Sequence, residues 1–240
     1  MVKKRKIKDN HILVVGAGHS IKKYKNEIYR FIEENNPVTF ACNYINNIII
    51  PDYHLWNSVK RWNLFADSID KKSILVFSST YPKDSIREKI DGSYKTFKVV
   101  ERRWKTGWEN ENSRQYKRCK VCYRKGKMFG CFRDSVTLAI FYAYIKGASK
   151  ISVVGADGYT FYPDKNNINA HCFEEGLETE IKIRQIGQKY YKDLDIENNR
   201  TLLLLYKYVL KKYGFGFEML TPTIHTQFYN KNILNIKGDK

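Results

Sequence analysis

Apolar residues along this chain fall into short runs that alternate with helix-spaced stretches. His11 to Gly16 (HILVVG) is a β-branched run ending in glycine, the pattern of a buried strand. Beyond it, Ile21, Tyr24, Ile28, Phe31 and Ile32 recur at helical spacing and predict a helix over Ser20 to Glu34. Pro37 opens a second strand, Val38 to Cys42, and Pro51 precedes a third, Tyr53 to Trp56. Ser73 to Ser78 (SILVFS) reads as a fourth strand, Pro82 to Ile90 as a short helix and Thr96 to Val100 as a fifth strand. A helix over Ser135 to Lys146 then stops at Gly147, and Lys150 to Gly155 (KISVVG) is a strand of the buried parallel type. A helix is expected near Thr179 to Tyr190. An amphipathic helix follows over Thr201 to Tyr213, ended by Gly214, and a last strand runs from Phe215 to Leu220 before Pro222.

Strands alternating with helices imply βαβ units, hence an α/β fold: a single Rossmann-like domain over residues 1–240 with a mostly parallel sheet. Two stretches break the pattern. Residues 101–131 carry cations interleaved with Trp104, Trp108, Tyr116 and Tyr123 and read as a basic aromatic excursion. Residues 159–197 are polar and irregular and read as a lid over the site. Ligands of such sheets bind beyond the carboxyl ends of the strands, which directs attention to residues 16–20, 42–44, 56–58 and 155–162.

Composition narrows the function classes. At 42% hydrophobic over 240 residues, the chain can bury a sizeable core. No apolar run approaches the ~18 residues of a spanning helix, and no apolar segment follows the basic stretch Met1 to Lys8. A cytoplasmic protein is therefore expected. The net charge of +18 favours anionic partners: nucleotide phosphates, nucleic acid or an acidic membrane surface. Five cysteines, an odd number, suit reduced thiols. Cys119 and Cys122 with Cys131 suggest a zinc knuckle, but a fourth ligand would have to come from His171, Cys172 or Cys42, all distant in sequence. Three thiols in a basic loop is the better account. The Asp193-Leu194-Asp195 triplet spells a metal-binding D-x-D but does not follow a strand. No obligatory metal or other cofactor is expected.

The candidate chemistry lies at the strand ends. Gly16-Ala17-Gly18-His19-Ser20 joins a strand to a helix; glycines admit a ligand to the backbone and the helix start offers N–H donors to a phosphate, with Ser20 as a cap. Asn43 and Asn57 follow two strands and present both donors and acceptors to ribose or a pyrimidine. Gly155-Ala156-Asp157-Gly158-Tyr159 follows the late strand; Asp157 could accept from a sugar hydroxyl or cap a turn, and Tyr159 and Tyr162 could donate to a departing phosphate. His171, beside Cys172, Glu174 and Glu175, is a candidate general base. His19 and His225 could also face the site.

The ordered pieces ILVVGAGHSI, FACNY, LWNS, DSVTLAIFYAYIKGASKISVVGADGY and LLLYKYVLKKYGFGFEMLTP resemble the bacterial sialyltransferases of the Campylobacter capsule and lipooligosaccharide type. They also resemble the wider Rossmann superfamily that contains the archaeal-type hydroxymethylpterin pyrophosphokinases and flagellin-modification factors. The resemblance implies that Gly16 to Ser20 hold a cytidine nucleotide's phosphate and sugar. Asn43, Asn57, Arg133, Ser135, Gly155 and Asp157 would contact the nucleotide, and Tyr159 and Tyr162 would assist departure of the phosphate. The sequence departs from that family at Ala17, where the family has asparagine, and at His19, where it has proline. The family's catalytic histidine lies shortly before the last helix, where this chain reads Asp195-Ile196-Glu197-Asn198. His171 or Glu197 would then fill that role. The pyrophosphokinases carry an aspartate-rich motif after the third strand, where this chain has Trp56-Asn57-Ser58.

These features predict a glycosyltransferase that moves a sugar, sialic acid-like or other, from a nucleotide donor of the CMP-sugar type. The acceptor would be a surface glycan or glycolipid, reached at the inner face of an anionic membrane, with self-association left open. Diphosphate transfer from ATP to a pterin-like alcohol is the alternative enzyme, requiring Mg²⁺ and carboxylates at the strand ends. Single-stranded nucleic-acid binding through the basic aromatic stretch is the non-enzymatic alternative, and the weakest of the three.

Overall fold

The apolar runs assemble edge to edge because their two faces are both hydrophobic and must both be covered. The computed structural model describes residues 6–70, 72–79, 81–101, 121–130, 132, 134–159, 172 and 188–234. Its strands are His11–Val15 (β1), Val38–Cys42 (β2), Tyr53–Trp56 (β3), Ile74–Ser78 (β4), Lys95–Glu101 (β5), Cys122–Arg124 (β6), Lys127–Gly130 (β7), Lys150–Val154 (β8) and Gly216–Met219 (β9). They form one nine-stranded sheet in the order β6-β7-β5-β4-β3-β2-β1-β8-β9. Every pairing is parallel except that of β6 with β7. The α/β, Rossmann-like class read from the sequence is the class observed.

Strand side chains alternate between two cores. Ile12, Val14, Phe40, Leu55 and Val153 enter one, where they meet Leu138, Phe141 and Tyr142 of helix α5 (Ser135–Ile145) and Leu202 and Leu205 of α6 (Gln188–Leu205). Leu13, Val15, Ala41, Trp56 and Phe77 enter the other. There they meet Ile21 of α1 (Ser20–Lys23), Ile28 and Phe31 of α2 (Lys25–Asn35), Trp62 and Phe65 of α3 (Val59–Phe65) and Ile86 of α4 (Lys83–Arg87). α5 is apolar almost all round, as a helix packed between a sheet and another helix must be. Its start is fixed by Asp134, whose carboxylate accepts the N–H groups of Val136 (3.0 Å) and Thr137 (2.7 Å).

Several boundaries differ from the sequence reading. The Ser20 to Glu34 helix is broken at Tyr24, whose φ of −108° and ψ of 31° are not helical. α3 was not expected. It is only seven residues, but Ser58 caps it and Val59, Trp62 and Phe65 line one side. The part of the 101–131 excursion that is described is sheet, not loop: β6 and β7 form a hairpin around Lys125-Gly126, both at positive φ. A Lys-Gly pair is a weaker turn signal than Asn-Gly, and each strand is too short to show a period. The final helix begins at Gln188, before the expected Thr201, and its last turns, Tyr206–Leu210 and Lys211–Tyr213, are a π and a 3₁₀ segment. Residues 188–197 of the expected lid are thus helical, and the helix expected near Thr179 to Tyr190 otherwise lies outside the described residues, as do 160–171 and 173–187.

The strand order places the site. From β1 the chain progresses through β2, β3, β4 and β5 on one side, then returns to lay β8 and β9 on the other. The helices that follow β1 and β8 cover opposite faces of the sheet, α1 and α2 on one and α6 on the other, and a crevice opens beyond the carboxyl ends of the strands.

Candidate functional site

Where β1 and β8 end, their loops touch backbone to backbone. Gly16 N–H donates to Val154 O (2.8 Å) and Gly18 N–H to Gly155 O (2.9 Å). A Cβ on Gly16 would collide with Gly155 O, one on Gly18 would lie 2.6 Å from Asp157 Cγ, and one on Gly155 would lie 2.5 Å from Gly16 O. Gly155 also holds φ at +70°. The glycines that suggested a phosphate cradle are thus already required by the approach of two strand ends. Asp157 completes this seam. Only 2% exposed, it accepts the Ser20 N–H (2.7 Å) and the Ser20 hydroxyl (2.5 Å). Burial raises its pKa from 3.8 to about 7, with the two Ser20 hydrogen bonds pulling the other way. This revises the expectation for Ser20 and agrees with the turn-capping alternative for Asp157. Ser20 does not cap its own helix; Asp157 satisfies the helix start from across the sequence. Both Asp157 oxygens are engaged with Ser20, so the carboxylate is bound inside the protein.

A second seam joins β2, β3 and α5 through Asn43. This residue is in the left-handed region (φ +53°) and 3% exposed. Its Oδ1 accepts the N–H groups of Asn57 (3.0 Å) and Ser58 (3.2 Å), and its Nδ2 donates to Ser135 Oγ (2.7 Å). Its carbonyl accepts from His54 Nε2 (2.5 Å), and its N–H donates to Leu55 O (2.7 Å). Asn43 therefore spends its side chain on the protein and orients two neighbours. Ser135 Oγ, already an acceptor, has its own proton left to donate. Among the described residues none takes up the side-chain amide of Asn57.

Both seams border one cavity of about 370 Å³ at the switch point. Of the residues picked out by sequence, Ala17, Gly18, Asn43, Asn57, Ser135, Gly155, Asp157 and Tyr159 line it; Gly16 and Ser20 are buried behind it. Glu197 does not line it. On α6, Asp195 and Asn198 are three residues apart, so they share a face toward the cavity, and Glu197 falls on another. Arg133, Tyr162 and His171 lie outside the described residues.

The structure adds Arg61, Asp134 and Asn198, which the sequence did not single out; it also brings in Ser58, from the 56–58 strand end, and Asp195, which the sequence offered only as part of a metal-binding triplet. Arg61 was hidden because α3 was not foreseen. That helix is seated by Trp62, which packs edge-on to Trp56 and Phe77 and donates Nε1–H to Ser85 O (2.7 Å). Asp195 accepts the Tyr159 N–H (2.8 Å), tying the β8 loop to α6. Arg61 is the one guanidinium among the described lining residues. Of the three carboxylates, Asp157 serves the Ser20 turn, Asp134 caps α5 and Asp195 holds the Tyr159 backbone. His225, one of two further histidines considered from sequence, lines the cavity; His19 does not.

The described cysteines, Cys42, Cys122 and Cys172, are free thiols, and Cys172 N–H donates to Ala17 O (2.8 Å), packing against the first glycine turn. Cys119 and Cys131 lie outside the described residues. Among the described residues, no cluster of three or more His, Cys, Asp or Glu is arranged to hold a metal, and no helix is long and apolar enough to cross a membrane. Comparison of the chain with protein-family models and with curated proteins finds no match.

Proposed function

We propose that the switch-point cavity holds a nucleotide-activated sugar and that the protein is a glycosyltransferase, with a CMP-sugar as donor and a hydroxyl of a surface glycan or glycolipid as acceptor. The observation that carries this reading is the convergence of Asn57, Ser135 and Tyr159 on one crevice, although they lie far apart in the chain. A cavity of about 370 Å³ is within the roughly 300–1,000 Å³ usual for small-molecule sites. The amide of Asn57 and the hydroxyl of Ser135 offer the donors and acceptors that a ribose or a pyrimidine edge requires. Arg61 supplies positive charge for a phosphate. In the transfer, the bond between the anomeric carbon and the phosphate oxygen breaks as the acceptor oxygen attacks. The Tyr159 phenol donates a hydrogen bond to the leaving phosphate, whose charge grows in the transition state. The resemblance to sialyltransferases at these same positions supports cytidine as the base. The charge of +18 suits acceptors presented at an anionic membrane surface.

Thermal unfolding with CMP, CDP, CTP, UDP, GDP, ATP and single-stranded oligonucleotides, with and without Mg²⁺, tests this. A cytidine nucleotide at about 100 times its Kd should add ~2.7 kcal/mol, or ~5–10 °C in Tm, without metal. A response to ATP that requires Mg²⁺ would instead mark diphosphate transfer. A response to oligonucleotides alone would end both enzyme readings.

A further inference from the structure

Group transfer to a hydroxyl needs somewhere for the hydroxyl proton to go. Of the residues chosen from sequence for that task, Glu197 is not among those that line the cavity. An imidazole does reach it, from the loop after β9. That loop is fastened to the end of β8 at successive points. Leu220 N–H donates to Val153 O (2.8 Å), Thr221 Oγ1 accepts from Gly155 N–H (3.0 Å), Thr223 Oγ1 donates to Ala156 O (2.5 Å) and Ile224 N–H donates to Asp157 O (3.0 Å). His225 is the next residue, and its N–H donates to Thr223 Oγ1 (3.2 Å). Its position over the cavity is therefore held by the rigid sheet edge.

The ring is fixed as well. His225 Nδ1 lies 2.8 Å from Asn199 Oδ1 on α6, and Gln227 Nε2 donates to the same oxygen (3.2 Å). An amide oxygen only accepts, which assigns the imidazole proton to Nδ1 and leaves the lone pair on Nε2 of a residue that lines the cavity. We infer that His225 is the proton acceptor of the transfer and that Asn199 is its positioning residue; this rests on the group-transfer reading above. As the acceptor oxygen bonds to the anomeric carbon, its proton passes to Nε2, and the electron pair of the breaking bond leaves on the phosphate oxygen. The charged groups facing the ring are Asp134, at the start of α5, and Asp195, on α6. Burial lowers the imidazole's pKa and the two carboxylates partly restore it, with a net position below 6.5. The ring is neutral, hence basic, at neutral pH, and the two carboxylates stabilise the imidazolium once the proton arrives.

His225→Gln should cut transfer turnover by at least ~100-fold while cytidine nucleotides still raise the variant's Tm. Asn199→Asp should move the acidic limb of the pH–rate profile upward, because a carboxylate on Nδ1 favours the imidazolium. Nitrogen NMR of histidine-labelled protein, assigned with His225→Gln, should show the Nδ1–H tautomer. Turnover of His225→Gln within about threefold of the parent overturns the inference and leaves the nucleotide reading standing, and so does an Nε2–H tautomer. Failure of every cytidine nucleotide to bind the parent overturns the nucleotide reading itself and removes this role with it.

Discussion

The Asn43 amide is the feature whose removal has the most calculable consequence. Asn43→Gly is the informative substitution, because glycine accepts the φ of +53° and only the amide is lost. Three hydrogen bonds go with it, two of them accepting the backbone N–H groups of Asn57 and Ser58 and one donating to Ser135. At about 0.5–1.5 kcal/mol each, the loss is ~2–4 kcal/mol. In a chain of this size that corresponds to a fall in Tm of ~5–15 °C. Asn43→Ala should cost about 1–2 kcal/mol more, since alanine does not favour the left-handed region. Ser135→Ala is the comparison: it removes one of the three bonds, so it should cost no more than about 1.5 kcal/mol, yet it removes a cavity donor outright. Urea unfolding of the three variants, followed by circular dichroism, gives the stabilities. A cost below ~0.5 kcal/mol for Asn43→Gly would refute the reasoning, because the N–H groups of Asn57 and Ser58 would then have other partners. Equal destabilisation by Ser135→Ala and Asn43→Gly would refute it too, by placing the whole effect on one bond.

Two further perturbations test the two seams. Gly155→Ala places a methyl 2.5 Å from Gly16 O and 2.6 Å from Ile21 Cγ2 at a φ of +70°, so it should destabilise by ~2–4 kcal/mol, read from the urea midpoint. A cost under ~1 kcal/mol would mean that the two loops part easily. His54, buried and donating to Asn43 O, has its pKa lowered by burial from 6.5 to about 4. Its contribution is fully present above pH 6.5 and is lost as pH falls toward 4, because the unfolded chain takes up the proton first. The stability advantage of the parent over His54→Gln should shrink by about 3 kcal/mol between pH 7 and pH 4. An advantage independent of pH in urea titrations would show that the folded imidazole titrates near its ordinary value.

The strands and the first glycine turn were legible because local pattern dictates them. A run such as ILVV has no stable state except burial on both faces, and a glycine at its end marks where the backbone must turn. β1, β2, β3, β4 and β8 could therefore be placed almost to the residue, and with them the crevice at their carboxyl ends. Short elements carried too little pattern: seven residues of α3 and the Lys125-Gly126 hairpin fall below the length at which periodicity separates helix, strand and loop. With α3 went Arg61, and with the early start of α6 went Asn198. Sequence also named Gly16, Ser20, Asn43 and Asp157 as ligand contacts; the tertiary structure bonds each of them within the protein, while Asn43 and Asp157 also line the cavity. Two chain segments more than a hundred residues apart meet at the glycines, and Asp157 binds Ser20 across that distance. No local rule can see that a residue is spent on a distant partner. The same is true of His225, whose place over the cavity follows from the pairing of β8 with β9 and from an asparagine on a helix that ends well before it. What the sequence determined by itself is the sheet and the end of it that is open; which side chains remain available there was decided by long-range contacts, because hydrogen-bonding capacity is used up in space and not along the chain.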